Sequence, residues 1–153
     1  MNTKTFFASM ALALSLAACG GAGGGAAAGK GEISENRTTA FKSMMPEFAS
    51  MGKMVKGDEA FDAEKFKAAA ATFATNAQKP FAFFQNDPNG NGDALPVIWE
   101  KSAEFKAEQD KFLAAVEGLN QAAQTGNLAE IKTAYGEVGA SCKACHDTFR
   151  RPK

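Results

Sequence analysis

From Ile33 to the C-terminus, apolar residues return every three or four positions, a spacing that admits little besides packed helices. Four stretches carry it. In the first, Ile33, Phe41, Met44, Phe48, Met51 and Val55 recur, with Ser34 available as an N-cap and Gly57 as a stop. Pro46 lies inside this stretch. It removes one N–H and crowds the carbonyl of Lys42, so a kink rather than a break is expected. The second stretch opens at Asp62 and carries Phe66, Ala69, Phe73 and Ala77 as far as Lys79-Pro80, where the proline favours a boundary. The third starts at Pro96 and runs through Ile98, Ser102, Phe105, Gln109, Phe112, Val116, Leu119 and Ala123. The fourth begins near Asn127 and runs through Leu128, Ile131, Tyr135, Val138, Cys142, Cys145 and Phe149. Short connections at residues 56–61 and 125–127 make neighbours antiparallel. The expected fold is all-α: an antiparallel up-down four-helix bundle over residues 32–153.

The composition agrees. One Tyr and one Trp beside 13 Phe, with Ile and Val scarce, argue against a β-rich chain. A length of 153 residues suits one domain. Seventeen basic residues balance 17 acidic ones, so no charge excess steers the chain toward nucleic acid.

Residues 1–18 read as an export signal. Lys4 supplies the positive start, and Phe6 to Ala18 form an apolar run too short to span a bilayer. The run ends Leu16-Ala17-Ala18-Cys19, which resembles the bacterial lipoprotein signal, in which cleavage leaves the cysteine N-terminal and lipidated. An ordinary signal cut later, after Ala26-Ala27-Ala28, is the competing reading. On the first reading Cys19 is the lipid attachment site, and residues 19–31 are a Gly/Ala-rich tether reaching roughly 20 Å. Either way the bundle is exported, which places it in the periplasm of a Gram-negative bacterium.

The long connection before the third helix holds Asp87-Pro88-Asn89-Gly90-Asn91-Gly92, the first half of a calcium-loop pattern. Position twelve of that pattern needs a bidentate Glu, and here it is Ile98. Plain turn chemistry explains the string better.

Chemistry concentrates in Cys142-Lys143-Ala144-Cys145-His146. Two sulfurs three residues apart lie on neighbouring positions of a helical turn, where each can reach one vinyl group of a porphyrin. The adjacent imidazole then points at the iron, so the string reads as covalent haem c attachment. A zinc site would want a fourth ligand, and His146 is the chain's single histidine. A thioredoxin-like pair belongs at a helix start after a strand, and no strand signal precedes this one.

Taken together, Gly139–Arg150 around that motif, Pro96-Val97-Ile98-Trp99, and Arg37 with Phe41 resemble the cytochrome c′ family of class II c-type cytochromes over residues 33–151. The chain departs from the family in Pro46 and a slightly longer first loop. The resemblance implies that Cys142 and Cys145 are thioether anchors and that His146 is the fifth iron ligand. It implies Arg37 beside a haem propionate, where a plain solvated helix charge is the alternative. It places Arg150 by the proximal face, on His146's side by the i,i+4 rule. Trp99 would pack toward the haem, although core filling alone would also account for it.

The distal position falls on Phe41, one turn from Arg37. A phenyl ring has no lone pair for iron, which implies a five-coordinate haem open to NO and CO. The alternative is a six-coordinate, low-spin carrier of the c556 kind, ligated by Met44 or Met45. Family members pair through their first two helices, and Met44, Met45, Met51 and Met54 offer adaptable apolar surface for a homodimer. The function implied is electron transfer with redox partner proteins, gas binding, or both. An enzyme acting on NO or peroxide is the competing class, but peroxide chemistry wants a distal acid or base.

Overall fold

The computed structural model describes residues 29–152. Its elements are α1 (Glu32–Lys56), α2 (Ala63–Ala77), a 3₁₀ turn (Lys79–Phe83), α3 (Val97–Glu100), α4 (Ser102–Thr125) and α5 (Leu128–Phe149). The chain is all-α, and among the described residues β pairing is confined to two isolated bridges, Lys30 with Asn91 and Ala94 with Arg150. The leader, Cys19 and the tether to residue 28 lie outside the described residues.

The N-terminus of α1 differs from expectation. Its N-cap is Gly31, and Ser34 is a buried residue of the first turn whose hydroxyl donates to the Gly31 carbonyl at 2.8 Å. The cap comes from across the fold: the Ser34 N–H donates to Asp87 Oδ2 at 3.0 Å. This borrowed acceptor lets the helix start earlier than its own polar residues suggest. Gly29–Gly31, composed like tether, are also fastened to the long loop. The Gly31 N–H donates to the Gly90 carbonyl (2.9 Å), and the Gly92 N–H donates to the Gly29 carbonyl (3.3 Å). Downstream, α1 runs unbroken across Pro46 and ends at Gly57, whose φ of 85° lies in the left-handed region that favours glycine.

Asp62 caps α2, accepting from the Lys65 N–H, and Asn127 caps α5, accepting from Ala129 and Glu130. The single third helix expected from periodicity is two. Lys101, at φ −121° and ψ 50°, leaves the helical region and separates α3 from α4. Periodicity spans this break because Ile98 and Phe105 face the same cluster from either side of it.

Helices α1 and α2, α2 and α4, and α4 and α5 pack along their lengths, whereas α1 meets α5 over a shorter stretch. The main core holds Met44, Met51, Met54, Phe66, Phe73, Phe112, Leu119, Ile131 and Val138. Each such side chain, fully buried, contributes about 1.5–3 kcal/mol. Three of the four methionines read as adaptable surface on α1 are therefore core. Met45 is the exposed one, at 49%. A second cluster of Ile98, Phe105 and Phe149 sits apart, with Phe81, Phe84, Trp99 and Cys145 packed on it.

Candidate haem site

The site is built where the last two turns of α5 meet that second cluster. Cys142 and Cys145 are one helical turn apart and both half-buried, Cys142 against the main core and Cys145 against Ile98, Phe105 and Phe149. Burial raises the Cys142 thiol above its ordinary pKa. Cys145 is pushed up to about 11, by burial first and then by the charges of Glu108 and Cys142. Both thiols therefore stay protonated at neutral pH, unlike the depressed thiols of redox or zinc pairs. His146 follows at once on α5, half-buried, its carbonyl accepting the Arg150 N–H at 3.1 Å.

Facing these groups is a wall of aromatic rings. Phe84 lies 4.6 Å from Phe105, and Phe105 meets Phe149 edge-on at 5.2 Å. Phe81 stacks on Phe84 at 5.9 Å. Phe41 of α1 points its edge at both, 6.2 Å from each. Trp99 closes the wall, donating from Nε1 to the Phe84 carbonyl at 2.8 Å. The 3₁₀ turn and the residue that ends it thus set Phe81 and Phe84 between Phe41 of α1 and the cluster of Ile98, Phe105 and Phe149. Neither ring was singled out from the sequence, although Pro80-Phe81-Ala82-Phe83-Phe84 is the densest aromatic run in the chain.

Arg37 is the buried cation of the site, 5% exposed. Its Nη1 donates to the Phe83 carbonyl (2.9 Å), its Nη2 donates to the Asn91 carbonyl (2.6 Å), and its guanidinium lies 4.9 Å from the Phe84 ring centre. Burial lowers its pKa, while the nearby Asp87 charge acts the other way. Both hydrogen-bond acceptors are neutral, and among the described residues Arg37 forms no ion pair. A solvated helix charge does not describe it.

Arg150 does not continue α5: it is the C-cap, extended at φ −120° and ψ 142°, and pairs with Ala94. Its N–H still closes the last helical turn onto the His146 carbonyl, and the chain then leaves to pair with the long loop, where the Leu95 N–H donates to the Phe149 carbonyl. Met45 projects to solvent and Met44 is buried in the main core, while Phe41 faces the aromatic wall.

These residues fit a covalent haem. Paired inward-facing thiols with an adjacent imidazole make the donor set, flat rings suit a porphyrin face, and a buried guanidinium bonded to neutral oxygens suits a carboxylate.

The family model described as cytochrome C′ matches residues 32–150. The cytochrome c′ of Alcaligenes xylosoxydans xylosoxydans is 40% identical over 117 residues, covering 76% of this chain and 91% of that protein. A cytochrome c-556 of Agrobacterium tumefaciens (strain B2A) is 36% identical over 126 residues, covering 80% of this chain and 99% of that protein. Among solved structures, the nitric oxide complex of a variant of the Alcaligenes xylosoxidans cytochrome c prime superposes with a TM-score of 0.76. It is 38% identical and covers 80% of this chain and 95% of that one.

Proposed function

Because the chain belongs to the cytochrome c′ family, whose members bind one covalent haem c, we propose that it works in the periplasm as an electron carrier and a receptor for NO and CO. The observation that carries this reading is the pair of inward-facing thiols with His146, set across an aromatic wall from Phe41 and buried Arg37. Bound there, the haem would supply one-electron chemistry and a site for a diatomic gas.

The chain's residues divide the remaining work. Cys142 and Cys145 would hold the porphyrin through thioethers, and His146 would ligate the iron. Arg37 neutralises a propionate, for which its rigid guanidinium suits better than an ammonium would. Phe41 crowds the opposite side with a ring that donates no lone pair and no hydrogen bond. It admits small uncharged gases and favours NO and CO over O₂. Trp99 holds the Phe84 carbonyl and, through it, the ring beneath Arg37. Among the described residues, Phe41 and the rings beside it bring no acid or base for peroxide turnover, which favours a binding and carrier role over an enzyme.

The Met-ligated, low-spin reading draws support from the cytochrome c-556 relative. The exposure of Met45 and the packing of Met44 in the main core favour Phe41 instead. Lipidated Cys19 would keep the protein at a membrane surface; no described helix is long and apolar enough to cross a bilayer. A homodimer through α1 and α2 would use exposed Met45, and a monomeric mass in solution would count against it.

Attachment is tested by replacing Cys142 and Cys145 together with alanine, which should abolish haem staining on denaturing gels. His146→Ala should leave little normally ligated haem. Staining that survives the double change would overturn the assignment. Spectra of ferric and ferrous protein, with and without CO and NO, test the open axial position.

A further inference from the structure

The Arg37 side chain does not hold itself in place. The helix that carries it and the loop that supplies its acceptors are tied together at one carboxylate, Asp87, which is 4% exposed. On one side, Asp87 Oδ2 accepts the Ser34 N–H in the first turn of α1, three residues before Arg37. A Cβ at Gly31 would overlap this carboxylate, so the helix start is shaped to receive it. On the other side, Oδ1 accepts the Asn89 N–H at 3.0 Å and the Asp87 N–H donates to Asn91 Oδ1 at 2.7 Å. Asn91 then presents its own carbonyl to Arg37 Nη2.

We propose that Asp87 is the positioning residue for Arg37, fixing through α1 and Asn91 where the guanidinium meets the haem. This rests on the reading that Arg37 faces a propionate. Asp87 acts through Ser34, Asn89 and Asn91. Its negative charge sits at the positive end of α1, where it also favours the helix start. The calcium-like hexapeptide thereby acquires a role: its carboxylate binds amides, and its asparagine supplies the carbonyl that Arg37 needs.

The test is a thermodynamic cycle on the haem-loaded protein, with reduction potential as the readout. Asp87→Asn is measured with Arg37 present and in an Arg37→Gln background. The direct effect of losing the Asp87 charge is common to both backgrounds and cancels. With Arg37 present, the released guanidinium no longer favours the ferrous form. The potential should therefore fall relative to the other background by about tenfold in the ferric-to-ferrous ratio, or about 59 mV for one electron. Asn91→Ala changes no charge and leaves the Ser34 cap intact. It should lower the potential with Arg37 present and do nothing without it, and it carries the test if Asp87→Asn does not fold. Equal shifts in the two backgrounds, or no shift for either loop variant, would overturn the inference while leaving the Arg37 assignment intact. If Arg37→Gln alone leaves the potential unchanged, the propionate reading fails and the inference falls with it.

Discussion

On α1, Gly52 faces Tyr135 of α5, which lies two turns before the first haem-motif cysteine. A Cβ added at Gly52 would lie 2.5 Å from Tyr135 Oη and 3.3 Å from Tyr135 Cζ. Tyr135 has nowhere convenient to go: its ring stacks on Phe48 at 4.4 Å, and its hydroxyl donates to the Phe48 carbonyl at 3.1 Å. Gly52→Ala must therefore displace the hydroxyl. The loss is about 0.5–1.5 kcal/mol for the hydrogen bond and about 1–3 kcal/mol for overpacking. Against this, alanine in a helix interior gains about 1 kcal/mol over glycine. The net expectation is a destabilisation of about 1–3 kcal/mol. In a Tyr135→Phe background the offending oxygen is gone, and Gly52→Ala should be neutral or stabilising by up to about 1 kcal/mol. Denaturant unfolding of the haem-loaded protein, with unchanged m-values, measures the four members of this cycle. Equal losses in the two backgrounds would refute the reasoning, because the clash would then not be with the hydroxyl.

Burial raises the Tyr135 pKa, so its contribution to stability is fully present below pH 10 and is lost as pH rises through the folded-state value; alkaline unfolding curves should be flatter for Tyr135→Phe. Ferric spectra should be high-spin in the native protein and stay so in Met45→Ala, with Met44→Ala unchanged spectrally but about 2–5 kcal/mol less stable. A low-spin spectrum abolished by either methionine change, and untouched by Phe41→Ala, would reverse the choice of distal residue. Cys19→Ser should release the protein from the membrane fraction or block its processing, and a mature N-terminus at Gly29 would contradict lipidation.

The bundle was legible because α2 and α5 advertise their starts and α2, α4 and α5 each a face: Asp62 and Asn127 cap where they were expected to, and Phe66, Phe73, Phe112 and Val138 are core. Local signals failed where distant parts of the chain intervene. Ser34 has the chemistry of an N-cap, but Asp87, 53 residues away, does the capping and moves the helix start. Lys101 carries no breaker, so the α3–α4 break cannot be read from it. The haem motif stands out because its chemistry is contained in five consecutive residues. The aromatic wall does not, since Phe41, Phe84, Phe105 and Phe149 converge only in three dimensions. The end of α5 is likewise set at a distance: Arg150, its C-cap, pairs with Ala94, which lies far back along the chain.

The stitching of the C-terminus sets an order of events for maturation. Leaving α5, the chain is fastened to the long loop by Leu95 to Phe149 and by Arg151 to Asp93. Cys145 is half-buried against the cluster that holds Phe149, where this seam begins, and Cys142 against the main core. An attachment machinery that must reach both sulfurs finds them most accessible before the seam forms. On the proposed function, closing of the C-terminal seam would follow attachment and complete the apolar packing around Cys145.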